Sequence, residues 1–151
     1  MIKVLAVAQG LVGRTVADQI NRCPEVVCLA LSLEAGAVRK LVKKGHRVLI
    51  VGSGADADVR IAVENLSSLG ITIQQVMQSM NAPRCLVVEG LSTLALKLPS
   101  DSVRRFALFL AARLKASGVD TVFVVAKDAD AGTVLPVLMQ AADEVISGKG
   151  Q

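Results

Sequence analysis

Aliphatic runs and amphipathic segments alternate along the whole chain. Residues 2–8 hold Ile2, Val4, Leu5, Ala6, Val7 and Ala8, interrupted only by Lys3, which predicts a buried strand. Residues 15–22 continue as a helix stopped before Pro24. Residues 26–32 predict a second strand, residues 35–44 a helix ended by Gly45, and residues 47–51 a third strand closed by Gly52, Ser53 and Gly54. Over residues 56–69 the apolar positions Val59, Ala62, Val63, Leu66 and Leu69 have helical spacing, with Gly70 as the stop. A short helix over residues 73–80 leads through Pro83 to a fourth strand, residues 85–88. After a loop rich in Ser and Leu, residues 101–117 show the clearest helical stripe. Val103, Phe106, Leu110 and Leu114 share one side, with Arg104, Arg105, Arg113 and Lys115 off it. Gly118 caps that helix and residues 121–126 form a fifth strand. A helix over residues 133–142 and a short strand over residues 144–146 close the pattern.

This alternation predicts an α/β fold, a three-layer, doubly wound, mostly parallel sheet in a single domain over residues 1–151. Composition agrees with it. The chain is 52% hydrophobic with a mean hydropathy of +0.54, and aromatics are 2% with no Trp or Tyr. The core is therefore Val, Leu, Ile and Ala, as in parallel strands covered on both faces. No apolar stretch reaches the roughly 18 residues of a membrane span, and Lys3 inside the first run is unlike a signal peptide. The expectation is a cytoplasmic protein with no membrane partner.

The net charge of +4 is scattered, and its densest cluster is Lys40, Lys43, Lys44, His46 and Arg47 near the end of one predicted helix. Cations there suit the helix dipole. No aromatic residue is interleaved for base stacking, so the cluster reads as a solvated helix end and leaves nucleic-acid involvement undetermined. Cys23, Cys28 and Cys85 lack C-x-x-C spacing, and Cys28 and Cys85 fall in predicted strands as apolar fillers. One His and no G-x-S-x-G elbow leave hydrolase and acyl-transfer chemistry without its parts.

In doubly wound sheets, ligands bind outside the carboxyl ends of the strands. Those ends are residues 8–15, Glu34, residues 52–54, residues 89–92 and residues 127–130. Residues 8–15 fill the frame of a phosphate loop, G-x-x-x-x-G-K-[ST]. Ala8, Gly13, Arg14 and Thr15 stand at its marked positions, with Gly10 inside it, so one glycine is missing and Arg replaces Lys. Arg14 has the charge to pair with phosphate and Thr15 the hydroxyl to ligate Mg²⁺. The same residues read equally as a strand-to-helix turn in which Gly13 relieves crowding and Thr15 starts the helix. Gly52, Gly54 and Ala57 spell G-x-G-x-x-A of a dinucleotide fold, yet residues 71–78 lack the acid expected about 20 residues on. Asp128 and Asp130 either hold a metal or ribose, or form a solvated loop before a helix.

Three further stretches complete a pattern. The second strand runs into Leu31-Ser32-Leu33-Glu34, and the fourth, Cys85-Leu86-Val87-Val88, into Glu89-Gly90-Leu91-Ser92-Thr93-Leu94. A long helix, a strand opening at Gly118-Val119-Asp120-Thr121 and a closing Ala141-Ala142-Asp143-Glu144-Val145-Ile146 follow. Together with residues 8–15, this order resembles the RecA/KaiC-like group of P-loop ATPases over nearly the whole chain. The resemblance implies a RecA-like P-loop NTPase fold with ATP phosphates at Gly10, Gly13, Arg14 and Thr15. It further implies Mg²⁺ on Thr15 and Glu89, and Glu34 and Glu89 as the catalytic pair, Glu89 standing where the family has Asp. Ala8, Leu11, Val12 and Arg14 depart from the family pattern. The expected function is thus a degenerate domain, a non-hydrolysing regulatory or assembly protein with weak or no nucleotide binding. By the same resemblance its partners are further copies of itself or a related ATPase subunit. A slow ATPase using Arg14, Thr15, Glu34 and Glu89 is one alternative, and a small-molecule or dinucleotide binder at Gly52 and Gly54 is another.

Overall fold

The computed structural model describes residues 1–79, 85–130 and 132–148. Strand β1 (Ile2–Val7) leads into α1 (Val12–Ile20), β2 (Glu25–Ala30), α2 (Ala35–Leu41), β3 (Arg47–Gly52) and the two-residue β4 (Val59–Arg60). Helix α3 (Leu66–Gln78), β5 (Cys85–Glu89), the short α4 (Leu91–Leu94), α5 (Ser100–Ala116), β6 (Asp120–Ala126), α6 (Leu135–Ala141) and β7 (Glu144–Ser147) follow. All seven strands pair in parallel in the order β4-β3-β2-β5-β6-β1-β7.

Each face of the sheet buries its own core. Ile2, Val4, Leu29, Leu86 and Phe123 pack on one side against α3, α5 and α6, while Val26, Cys28, Ile50 and Val124 pack on the other against α1 and α2. Helix α5 shows why its stripe was legible: Val103, Phe106, Leu110 and Leu114 are buried, and its four basic residues are exposed. Among the described residues no helix is long and apolar enough to cross a membrane.

Several local expectations are corrected. Residues 56–69 are not one helix. The backbone N–H groups of Asp58 and Ile61 donate to Ile50 and Gly52, which draws this stretch onto β3 as β4. The Asn65 side chain then accepts from Ser68 N at 3.0 Å and starts α3 at Leu66. Gly70 does not stop that helix but lies inside it, where a Cβ would sit 3.7 Å from the Phe106 ring. The helix expected from residue 73 is the second half of α3, and Met80 and Pro83 lie outside the described residues. Helix α2 ends at Leu41 rather than residue 44. The Asn21 side chain takes over its last turn by donating to Leu41 O at 3.1 Å and accepting from Lys43 N at 2.9 Å. The loop after β5 contains α4.

The first strand is anchored by Asp143, whose Oδ2 accepts from Ile2 N at 2.7 Å and whose Oδ1 lies 3.2 Å from Lys115 Nζ. The bond from Ile2, and after it Lys115, hold this carboxyl below its ordinary value of 3.8. A carboxyl lowered by folding stabilises above its unfolded pKa and loses that contribution as pH falls through the folded value. Stability should therefore decline below about pH 4. Asp143→Asn should destabilise at about pH 7 yet cost little at about pH 2, as read from urea midpoints at both pH values.

Candidate functional site

The carboxyl ends of β1, β2, β5 and β6 meet above the middle of the sheet. Past β1, Ala8 is still extended, and residues Gln9–Leu11 then form a single tight 3₁₀ turn closed by Leu11 N donating to Ala8 O at 2.9 Å. Helix α1 starts directly after it at Val12, three residues before the expected start, because Val12, Val16 and Ile20 already lie on its buried face. Gln9 N donates to Asp128 Oδ1 at 2.9 Å, which pins the turn to the loop after β6.

Gly10 and Gly13 both have ordinary negative-side backbone: the glycines at positive φ are Gly45, Gly90, Gly118 and Gly132 among the described residues. Open space lies where a Cβ would stand on either, so neither position demands glycine. Thr15 lies one turn into α1, and its Oγ1 donates to Leu11 O at 2.8 Å. Arg14 is exposed and makes no ion pair among the described residues.

Glu89 has the most enclosed charge in the region, with no exposed surface. Its Oε1 accepts from Ser32 N at 2.6 Å and from Leu33 N at 2.8 Å, and its Oε2 accepts from the Ser32 hydroxyl at 2.5 Å. The extra methylene of Glu over Asp carries the carboxylate across to the segment after β2. Leu31 N donating to Glu89 O at 3.2 Å continues the same seam. Gly90 makes the approach possible: its φ is +85°, and a Cβ there would lie 2.6 Å from Ser32 N. Cys28 packs on the neighbouring strand, where burial first and the Glu89 charge second push its thiol far up, so it remains an inert apolar filler.

A hollow of about 240 Å³ opens beside this clamp, lined by Gln9, Val12, Ser32, Glu89, Ser92 and Thr93 together with the end of β6. Among the described residues no Lys or Arg lines it. Of the residues singled out in the sequence, Glu89 lines the hollow; Gly10, Gly13, Arg14, Thr15 and Glu34 do not. Glu34 stands at the N-cap of α2, exposed, with no side-chain capping bond.

Asp130 is 3% exposed, so the expected solvated loop is corrected at this position. It accepts from the Ser92 hydroxyl at 2.5 Å and from Val134 N and Leu135 N at 3.1 and 3.0 Å, which binds α4 to the start of α6. Among the described residues no group of three or more His, Cys, Asp or Glu is placed to hold a metal ion.

The glycine loop after β3 is also corrected. It leads into β4, not into the helix that a dinucleotide fingerprint requires. Gly52 is close against Ala30 O, and Asp56 Oδ2 accepts from Gly36 N at 2.7 Å, so this loop serves the start of α2. Ser32 and Gly90 were not readable as site residues, and Asp130, singled out with Asp128 for a metal or ribose, instead joins α4 to α6. A polar residue leaving an aliphatic strand beside an acid-glycine pair is the one signal the sequence offered for the first two.

No protein-family model matches the chain, and no curated protein matches it. Among solved structures, a KaiC-like protein from the hyperthermophilic archaeon Pyrococcus horikoshii OT3 matches with a TM-score of 0.71 at 21% sequence identity. The match covers 97% of this chain and 69% of that one. With seven parallel strands between two helical layers, the likeness establishes a RecA-like α/β fold of the KaiC type.

Proposed function

We propose that this RecA-like domain acts as a non-hydrolysing regulatory or assembly protein with weak or no nucleotide binding. The observation that carries the proposal is the engagement of Thr15 and Glu89, the two groups that the resemblance assigns to Mg²⁺. The Thr15 hydroxyl bonds its own helix, and the Glu89 carboxylate bonds the β2–α2 segment through both oxygens. Turning the Glu89 carboxylate toward a metal would leave the Ser32 and Leu33 N–H groups without their acceptor, and a donor left unpaired away from water costs about 1–3 kcal/mol.

The turn after β1 supports the same reading. A phosphate cradle needs several backbone N–H groups converging on one anion, whereas here Leu11 N is closed onto Ala8 O and Gln9 N onto Asp128. The adjoining hollow has a buried carboxylate and, among the described residues, no cation, the wrong sign for a polyphosphate. ATP with Mg²⁺ therefore fits these residues poorly. Exposed apolar side chains support a role in binding other proteins: Ile71 on α3 and Leu108 and Phe109 on α5 are each at least half exposed. Further copies of this chain or a related ATPase subunit are the proposed partners.

Phosphate release from ATP and Mg²⁺ by the purified chain should equal the protein-free background. Release above background that Glu34→Gln abolishes would instead establish the slow ATPase.

A further inference from the structure

Strands β2 and β5 lie side by side in the middle of the sheet, with Val26 paired to Cys85. Cys23 comes three residues before Val26, on the turn that leaves α1. Both cysteines are half-buried and free, and both line a hollow of about 230 Å³ at the amino ends of the strands, with Lys3, Arg22 and Asp120. Their side chains lie close enough to influence each other across that hollow. Cys85 is thus no buried filler, and the pair sits at the opposite end of the β2–β5 seam from the Glu89 clamp. We infer that Cys23 and Cys85 are a redox-modifiable pair whose disulfide staples the two halves of the sheet together across this seam.

The chemistry balances with a peroxide as oxidant. The Cys23 thiolate attacks one peroxide oxygen, becomes a sulfenic acid and releases hydroxide, which takes a proton to leave as water. Cys85 sulfur then attacks the Cys23 sulfur and gives up its thiol proton. The sulfenic oxygen leaves as the second water and the S–S bond remains. Two thiols lose two electrons and two protons, and hydrogen peroxide is reduced to two waters.

The order of attack follows from the surroundings. Burial first, then the hydrogen bond and charge of Cys23 and the charge of Asp120, push the Cys85 thiol up to about 12. Cys85 therefore keeps its proton, and the first step falls to Cys23. The bond would close a loop carrying β2, α2, β3, β4 and α3, a long span whose closure restricts the unfolded chain.

The test treats the full chain with hydrogen peroxide under native conditions, followed by alkylation in urea and intact mass. Expected are a monomer lighter by about 2 Da, one alkylatable thiol out of three, and a Cys23–Cys85 cross-linked peptide. A thiol reductant should reverse all three, and the oxidised form should melt several degrees higher. Cys28→Ala should still form the bond. Cys23→Ser should retain both remaining thiols in alkylatable form. Three alkylatable thiols after peroxide, separate sulfinic acids at Cys23 and Cys85, or a disulfide only between chains would overturn the proposal. None of these outcomes depends on whether a nucleotide binds.

Discussion

Replacing Gly90 by Ala should lower the thermal unfolding midpoint by about 10 °C, from a loss of about 3 kcal/mol. Two costs combine at this position. With φ at +85°, any L side chain is strained by roughly 1–2 kcal/mol. The new Cβ would also stand 2.6 Å from Ser32 N and 3.0 Å from both the carbonyl carbon and Cβ of Leu31. Those neighbours are mainly backbone of the segment that holds Glu89, so relief of the clash must stretch the Glu89 bonds. Gly10→Ala is the control: it meets open space at ordinary φ and should leave the midpoint within about a degree. Differential scanning calorimetry on the two variants measures the contrast.

Glu89→Ala should be about as damaging, at roughly 4 kcal/mol. The change removes an acceptor of three hydrogen bonds and leaves Ser32 N and Leu33 N without a partner beside the core. Glu89→Gln keeps the shape and one carbonyl oxygen, and its amide can donate to the Ser32 hydroxyl; its cost should be about 1–2 kcal/mol. Glu89→Asp is one methylene short of Ser32 and Leu33 and should be worse than Gln. This ranking of Gln above Asp is the informative part. A carboxylate kept for a metal would favour Asp, which retains the charge, whereas a carboxylate kept as a clamp favours Gln, which retains the reach. Urea midpoints with unchanged slopes give the ranking directly.

Much of the fold was legible because parallel strands buried on both faces are near-continuous aliphatic runs, and Ile2–Val7, Glu25–Ala30 and Asp120–Ala126 are such runs. Helix α5 was legible through its 3.6-residue stripe and its Gly118 stop. The errors cluster between β3 and β5. There Val59, Ala62, Val63, Leu66 and Leu69 mimic helical spacing, while backbone bonds from residues 58 and 61 to a neighbouring strand decide the conformation. Side-chain interception had the same effect at α2, which Asn21 shortens from 20 residues away.

At the site, the frame of residues 8–15 gave positions without conformation. Its spacing is compatible with a wide loop and with a tight turn, and the difference lies in bonds such as Gln9 to Asp128, which spans 119 residues. Glu89 was singled out as an acid at a strand end. That its partners are Ser32 and Leu33 depends on β2 lying next to β5, a neighbour relation no local pattern encodes.

The central claim is that the end of β1 is a closed turn, with no phosphate cradle. Titrating ATP and Mg²⁺ into the chain by calorimetry tests it most directly. The account predicts no saturable heat up to about 1 mM ligand and a melting midpoint unmoved at millimolar ATP. One-to-one binding in the micromolar range, weakened by Arg14→Ala, would contradict it.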